Sequence, residues 1–145
     1  MNRPAAQARA GIGSQLRNYV QLMRLDRPVG IWLLLWPTLW ALWLAGEGHP
    51  DGGLFIVFFV GVTVMRSAGC VLNDFVDRKI DPHVERTRAR PVATGAVAPV
   101  EALTLFVALS LIAVGLAAML NRQAQVLAVI AAGLTILYPF VKRFI

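Results

Sequence analysis

The sequence predicts an all-α integral membrane protein with about four membrane-spanning helices. Three observations predict it. Hydrophobic residues make up 57% of the chain and charged residues only 15%, with a mean hydropathy of +0.63, a balance that soluble domains do not show. Apolar runs of roughly membrane length recur four times, separated by turn residues. Lys and Arg gather on alternate connections. The N-terminal tail, the 78–90 region and the C-terminus are rich in them, the 46–53 loop has none, and the 121–125 turn has only Arg122.

The formal charge of +6 would suggest nucleic acid in a soluble protein. Here the basic residues flank apolar runs and no basic, aromatic-studded surface is present, so topology and anionic lipid account for them and nucleic acid is excluded as a partner. Cys70 is the only cysteine, which rules out an internal disulfide and a cysteine metal cluster.

Residues 1–27 form a polar, basic tail. Leu16, Tyr19, Val20 and Met23 fall at helical spacing, which suits a short interfacial helix. Residues 28–145 hold the membrane domain. Its first span covers about 28–45, with Pro28 in the first turn and a kink at Pro37. Trp32, Trp36, Trp40 and Trp43 form one stripe, which either packs against lipid and helices or lines an isoprenoid pocket. His49, in the 46–53 loop, reads as a solvated histidine. The second span covers about 54–76, the third about 102–120 and the fourth about 126–141. Positive-inside asymmetry puts both termini and the loop after the second span in the cytoplasm.

The stretch from Arg66 to Pro91 organises the chain. Asn73, Asp77 and Asp81 are spaced i, i+4, i+8, which stacks them on one helical face, each about 40° on from the last. Asp74 points about 100° away from Asn73, so by phase its loss does less damage than that of Asp77 or Asp81. Pro82 ends the pattern. Each Asp would cost roughly 2.5–3.5 kcal/mol near the bilayer centre, and such residues persist where they face a wet, ligand-filled or metal-filled cavity. Arg66, nearly two turns before Asn73, shares its orientation and suits a buried anion-binding role. The 82–100 loop carries Arg86, Arg88 and Arg90 beside the carboxylates, which suits a phosphate clamp or lid. Tyr138 and Lys142 share a face at i, i+4; spacing alone leaves them, with Arg143, as a belt aromatic and topological anchors.

Carboxylates and an amide oxygen are hard ligands that suit Mg²⁺, which usually takes one or two carboxylates plus substrate phosphates. Arginines would bind the remaining anionic oxygens. A diphosphate held this way is a good leaving group, and apolar surroundings would keep water from a carbocation. The residues therefore point to ionisation of a lipid diphosphate at a membrane face.

Asn73-Asp74-x-x-Asp77-x-x-x-Asp81 resembles the first aspartate-rich motif of the UbiA superfamily of intramembrane prenyltransferases. MRSAGCVLND, DRKIDPHVERTRARPVATGAV, RLDRPVGIWLLLWPTLWAL and YPFVKR resemble its 4-hydroxybenzoate polyprenyltransferase branch. The resemblance covers almost everything after about Leu22. It implies that Asn73, Asp77 and Asp81 bind Mg²⁺ bridged to a polyprenyl diphosphate. It also implies that Arg66, Arg90, Tyr138, Lys142 and Arg143 surround the diphosphate, with Asp77, Asp81 and Arg66 catalytic. The reaction implied is prenylation of the ring of 4-hydroxybenzoate in ubiquinone synthesis, at a bacterial inner membrane and among its lipids.

Members of that family have about nine membrane helices and roughly twice this length, with a second aspartate-rich motif in the C-terminal half. This sequence therefore reads as the N-terminal half of a nine-helix bundle, inactive alone: the product of a truncated gene or of a fragmentary reading of one, or half of a split protein whose partner is a C-terminal half supplied separately. The alternatives are a noncatalytic membrane module, prenyl transfer to another acceptor, and an ion transporter using intramembrane Asp and Arg. Nearly apolar third and fourth spans disfavour the transporter.

Overall fold

The computed structural model describes residues 11–141, and all regular structure among them is helical. Five helices follow in order: α1 (Ile12–Leu22), α2 (Val29–Ala45), α3 (Gly52–Asp77), α4 (Pro99–Ala118) and α5 (Arg122–Val141). A single 3-10 turn, Asp81–His83, lies between α3 and α4. Helices α3, α4 and α5 are long and apolar enough to cross a membrane. The apolar α2 has 17 residues, a rise of about 25 Å against a hydrocarbon core of about 30 Å.

Local chemistry sets the helix ends. The Asp51 side chain accepts from the Leu54 N–H at 2.9 Å and starts α3, and Asn121 Oδ1 accepts from the Ala124 N–H at 2.9 Å and starts α5. Pro99 occupies the first turn of α4, where its missing N–H is no loss, and Glu101 Oε2 accepts from the Ala98 N–H at 2.9 Å. Helix α1 closes through the Leu25 N–H bonded to the Val20 carbonyl at 3.0 Å. This closure puts Arg24 in the left-handed region at φ 59°, the place where helices most often carry glycine and where an L side chain costs about 1–2 kcal/mol.

Helix α3 is the hub and packs against the other four helices, most extensively against α4. The buried core sits at one end of the bundle. It gathers Leu22 from α1, Ala68 and Val71 from α3, Val92 and Val97 from the connection to α4, and Ala102 and Leu109 from α4. The long connection is therefore a folded cap. Thr87 is buried and its hydroxyl donates to the Asp81 carbonyl at 3.2 Å, and the Val97 N–H bonds to the Pro91 carbonyl at 3.0 Å. Much of α4 and α5 stays exposed and apolar, including Leu111, Val114, Leu127 and Val129. Lipid or further helices would satisfy these faces.

The tryptophan stripe faces outward. Trp32, Trp36, Trp40 and Trp43 are all at least half exposed, and Trp36, Pro37, Trp40 and Leu44 line an apolar groove of their own.

Candidate functional site: an arginine and carboxylate cavity

A cavity of about 580 Å³ opens where α3 and α5 meet beneath the end of α1. Helix α3 contributes Arg66, Gly69, Cys70, Asn73 and Asp74, α5 contributes Leu134, Thr135, Tyr138 and Pro139, and Arg24 and Arg90 enter from outside these helices. Two glycines shape it. At Gly69 a Cβ would stand 3.8 Å from Thr135, so α5 lies against α3 there, and at Gly30 of α2 a Cβ would stand 2.6 Å from the Arg66 guanidinium. The Gly30 position has no room for a side chain while Arg66 keeps its place. Arg66 Nη1 donates to Cys70 Sγ, one turn along α3.

The charged groups are paired in series. Arg90 Nη1 lies 3.0 Å from Asp74 Oδ1 and 2.9 Å from Asp81 Oδ2. Arg24 Nη2 lies 3.4 Å from the same Asp74 Oδ1. Charge-assisted contacts of this kind are about twice as strong as neutral ones, and they are screened little where water is excluded. Asp74 is 1% exposed, and its Oδ2 is buried without a hydrogen-bond partner.

Of the sequence-predicted residues, Arg66, Asn73, Arg90 and Tyr138 line the cavity. Asp81 reaches it through Arg90. Asp77 is the last residue of α3, half-buried. Lys142 and Arg143 lie outside the described residues. The single helical face expected for Asn73, Asp77 and Asp81 does not extend to Asp81. Helix α3 ends at Asp77 and Asp81 opens the 3-10 turn, because the chain must leave α-helical geometry ahead of Pro82. Of the loop arginines only Arg90 turns inward; Arg86 and Arg88 are exposed, and Arg88 faces Glu85 at 3.9 Å.

Two residues escaped the sequence reading. Arg24 looked like one more basic residue of the tail, since its reach depends on the left-handed turn that ends α1. Asp74 was set aside by phase relative to Asn73. The signal that finds it is its own phase, three residues after Val71 and seven after Ser67, on the buried stripe of α3.

Among the described residues no three His, Cys, Asp or Glu side chains converge as a ready metal cage. The donors present are hard oxygens, and the unpartnered Asp74 Oδ2 shows that the site has acceptor capacity to spare. That set suits a divalent cation such as Mg²⁺ that takes its other ligands from a bound phosphate. The arrangement as a whole can hold a polyanion at the end of apolar helices.

Residues 34–145 match the UbiA prenyltransferase family. The chain is 60% identical over 126 residues to a 4-hydroxybenzoate octaprenyltransferase of Nitrosococcus oceani, covering 87% of this chain and 44% of the relative. It is 57% identical over 126 residues to the protein of that name from Alcanivorax borkumensis, covering 87% and 43%. It is 54% identical over 130 residues to one from Coxiella burnetii, covering 90% and 45%. The chain thus spans less than half the length of these curated relatives. No solved structure matches it.

Proposed function

The chain belongs to the UbiA prenyltransferase family, and from that premise we propose that it forms the diphosphate-binding part of a site that moves a polyprenyl group from polyprenyl diphosphate to the ring of 4-hydroxybenzoate, in ubiquinone synthesis. The observation that carries this is the convergence of Arg24, Arg66 and Arg90 with Asn73 and Asp74 on one cavity between membrane helices. Arginines recognise a diphosphate by paired N–H donors. Arg66 comes from α3 itself, and Arg24 and Arg90 from outside it, both on Asp74. Tyr138 lines the same cavity from α5, and in this reading its hydroxyl donates to an anionic oxygen. Leu134, one turn back along α5, supplies apolar wall for the prenyl chain.

When bound, Mg²⁺ held by Asn73, Asp77 and Asp81 would neutralise the charge that builds on the departing diphosphate. The arginines bind the oxygens that remain, so the diphosphate is held while its bond to the prenyl carbon breaks. The apolar helices limit access of water to the cation that results. Lys142 and Arg143 belong to the same diphosphate set in this reading. The Lys and Arg asymmetry of the connections supports a bacterial inner membrane protein with both termini and the α3–α4 connection in the cytoplasm.

A chimaera tests the proposal. This chain is joined to the remaining length of the Nitrosococcus oceani relative and expressed in a strain lacking its own enzyme. Restored prenylation of 4-hydroxybenzoate, dependent on added Mg²⁺ in isolated membranes, is the expected result. A chimaera that reaches the membrane and makes no product would refute it.

A further inference from the structure

Asp74 is more deeply enclosed than Asp81 or Asp77. It lies in the last turn of α3 and is 1% exposed. A carboxylate so enclosed is costly unless its charge is matched, and here two guanidinium groups share one of its oxygens. Arg24 Nη2 comes to 3.4 Å and Arg90 Nη1 to 3.0 Å. Arg90 then passes on to Asp81 at 2.9 Å. The row Arg24, Asp74, Arg90, Asp81 alternates in sign and joins α1, α3 and the connection before α4.

Arg90 is held by Asp81 as well as by Asp74, whereas the carboxylate that Arg24 meets is Asp74. Two guanidinium groups drawn together repel, and the carboxylate between them removes the repulsion. Arg24 also carries a left-handed backbone at φ 59°, which persists where the surroundings over-determine it. Both arginines line the cavity together with Asp74, so Asp74 holds them side by side in its wall.

We infer that Asp74 is a positioning residue: it latches Arg24, at the end of α1, to Arg90, on the α3–α4 connection, and so makes three separate segments into one fixed anion cradle. The latch stands on geometry. Only the identity of the anion, a diphosphate, rests on the reading proposed above.

The experiment uses the 145-residue chain in lipid nanodiscs, with hydrogen exchange followed segment by segment and binding of inorganic pyrophosphate measured with Mg²⁺ present. Asp74→Asn keeps the side-chain shape and removes the charge. It is expected to speed exchange in residues 19–27 while α4 keeps its protection, and to weaken pyrophosphate binding by about tenfold. Arg24→Gln alone should weaken binding similarly. Adding Arg24→Gln to Asp74→Asn should weaken it little further, because the latch is already open. Asp74→Glu, which restores the charge, should recover part of the loss. Unchanged exchange in residues 19–27, or losses that simply add, would overturn the inference. So would faster exchange spread evenly over α3 and α4, which would make Asp74 a general stabiliser. Faster exchange confined to residues 19–27, in a chain that binds no pyrophosphate even unsubstituted, would support the latch and refute the diphosphate reading instead.

Discussion

The Arg66 guanidinium occupies the space that a Cβ at Gly30 would fill, at 2.6 Å. Because the obstructing atoms are the far end of a flexible side chain, Gly30→Ala should leave the helices folded and move Arg66. In the chimaera with the Nitrosococcus oceani relative, the expected result is a rise of about tenfold in KM for prenyl diphosphate, given that misplacements near 1 Å cost up to about a hundredfold, with thermal stability nearly unchanged. A loss of stability with KM intact would show that the glycine serves packing alone. Asp81→Ala should be more damaging than Gly30→Ala, since Asp81 holds Arg90 at 2.9 Å and is also proposed to hold the metal. Its expected signature is a fall in kcat and in Mg²⁺ dependence together. Much at this scale was legible. Arg66 and Asn73 carry unusual chemistry for an apolar helix, which marked them; Arg90 was marked by its place in the charged loop beside the carboxylates, and Tyr138 only by the family resemblance. Arg24 was not legible, because a left-handed turn at a non-glycine residue leaves no trace in spacing. The relation between Asp81 and Asn73 was misjudged because helical phase was carried one turn past Asp77, where the helix stops.

At the scale of the elements, the helices are specified by their ends as much as by their apolar middles. Asn121→Ala removes the bond from its side chain to the Ala124 N–H, and Asp51→Ala the bond to the Leu54 N–H. Each should destabilise the fold by about 0.5–2 kcal/mol, read from unfolding in mixed detergent. The Asn121 variant should act through α5 alone, so exchange should rise there first. The apolar runs announced four helices and put the starts of the last three at about 54, 102 and 126; the caps at Asp51, Glu101 and Asn121 begin them a few residues earlier, at Gly52, Pro99 and Arg122. The connection between α3 and α4 was read as a clamp or lid because of its length and charge. Its arginines drew attention away from Val92 and Val97, which are buried against α3 and α4. Isolated valines in a charged loop have no periodicity to reveal which way they face.

For the molecule as a whole, orientation is the first thing to measure. Cysteine labelling, in a Cys70→Ala background, reports it. His49 is exposed in the α2–α3 loop and is a better site than Gly48, whose φ of 85° disfavours any side chain. His49→Cys should react with an impermeant maleimide in intact cells; reaction only after permeabilisation would invert the topology. The placement of the core bears on how the protein is made. Among the described residues, those packed around Val71 come from α1, α3, the connection and α4 as far as Leu109, and none comes from α5. During synthesis every one of them has been added by the time Leu109 is in the chain, while α5 is still unmade. The cap and the carboxylate row can therefore settle at the membrane face as the nascent chain is inserted, domains being assembled N-terminal part first. Helix α5 then arrives at a surface that is already formed, bringing Tyr138 to the cavity after the arginines. Biogenesis and assembly of the cavity thus run in the same order along the chain, with the arginine and carboxylate row preceding the wall that α5 contributes.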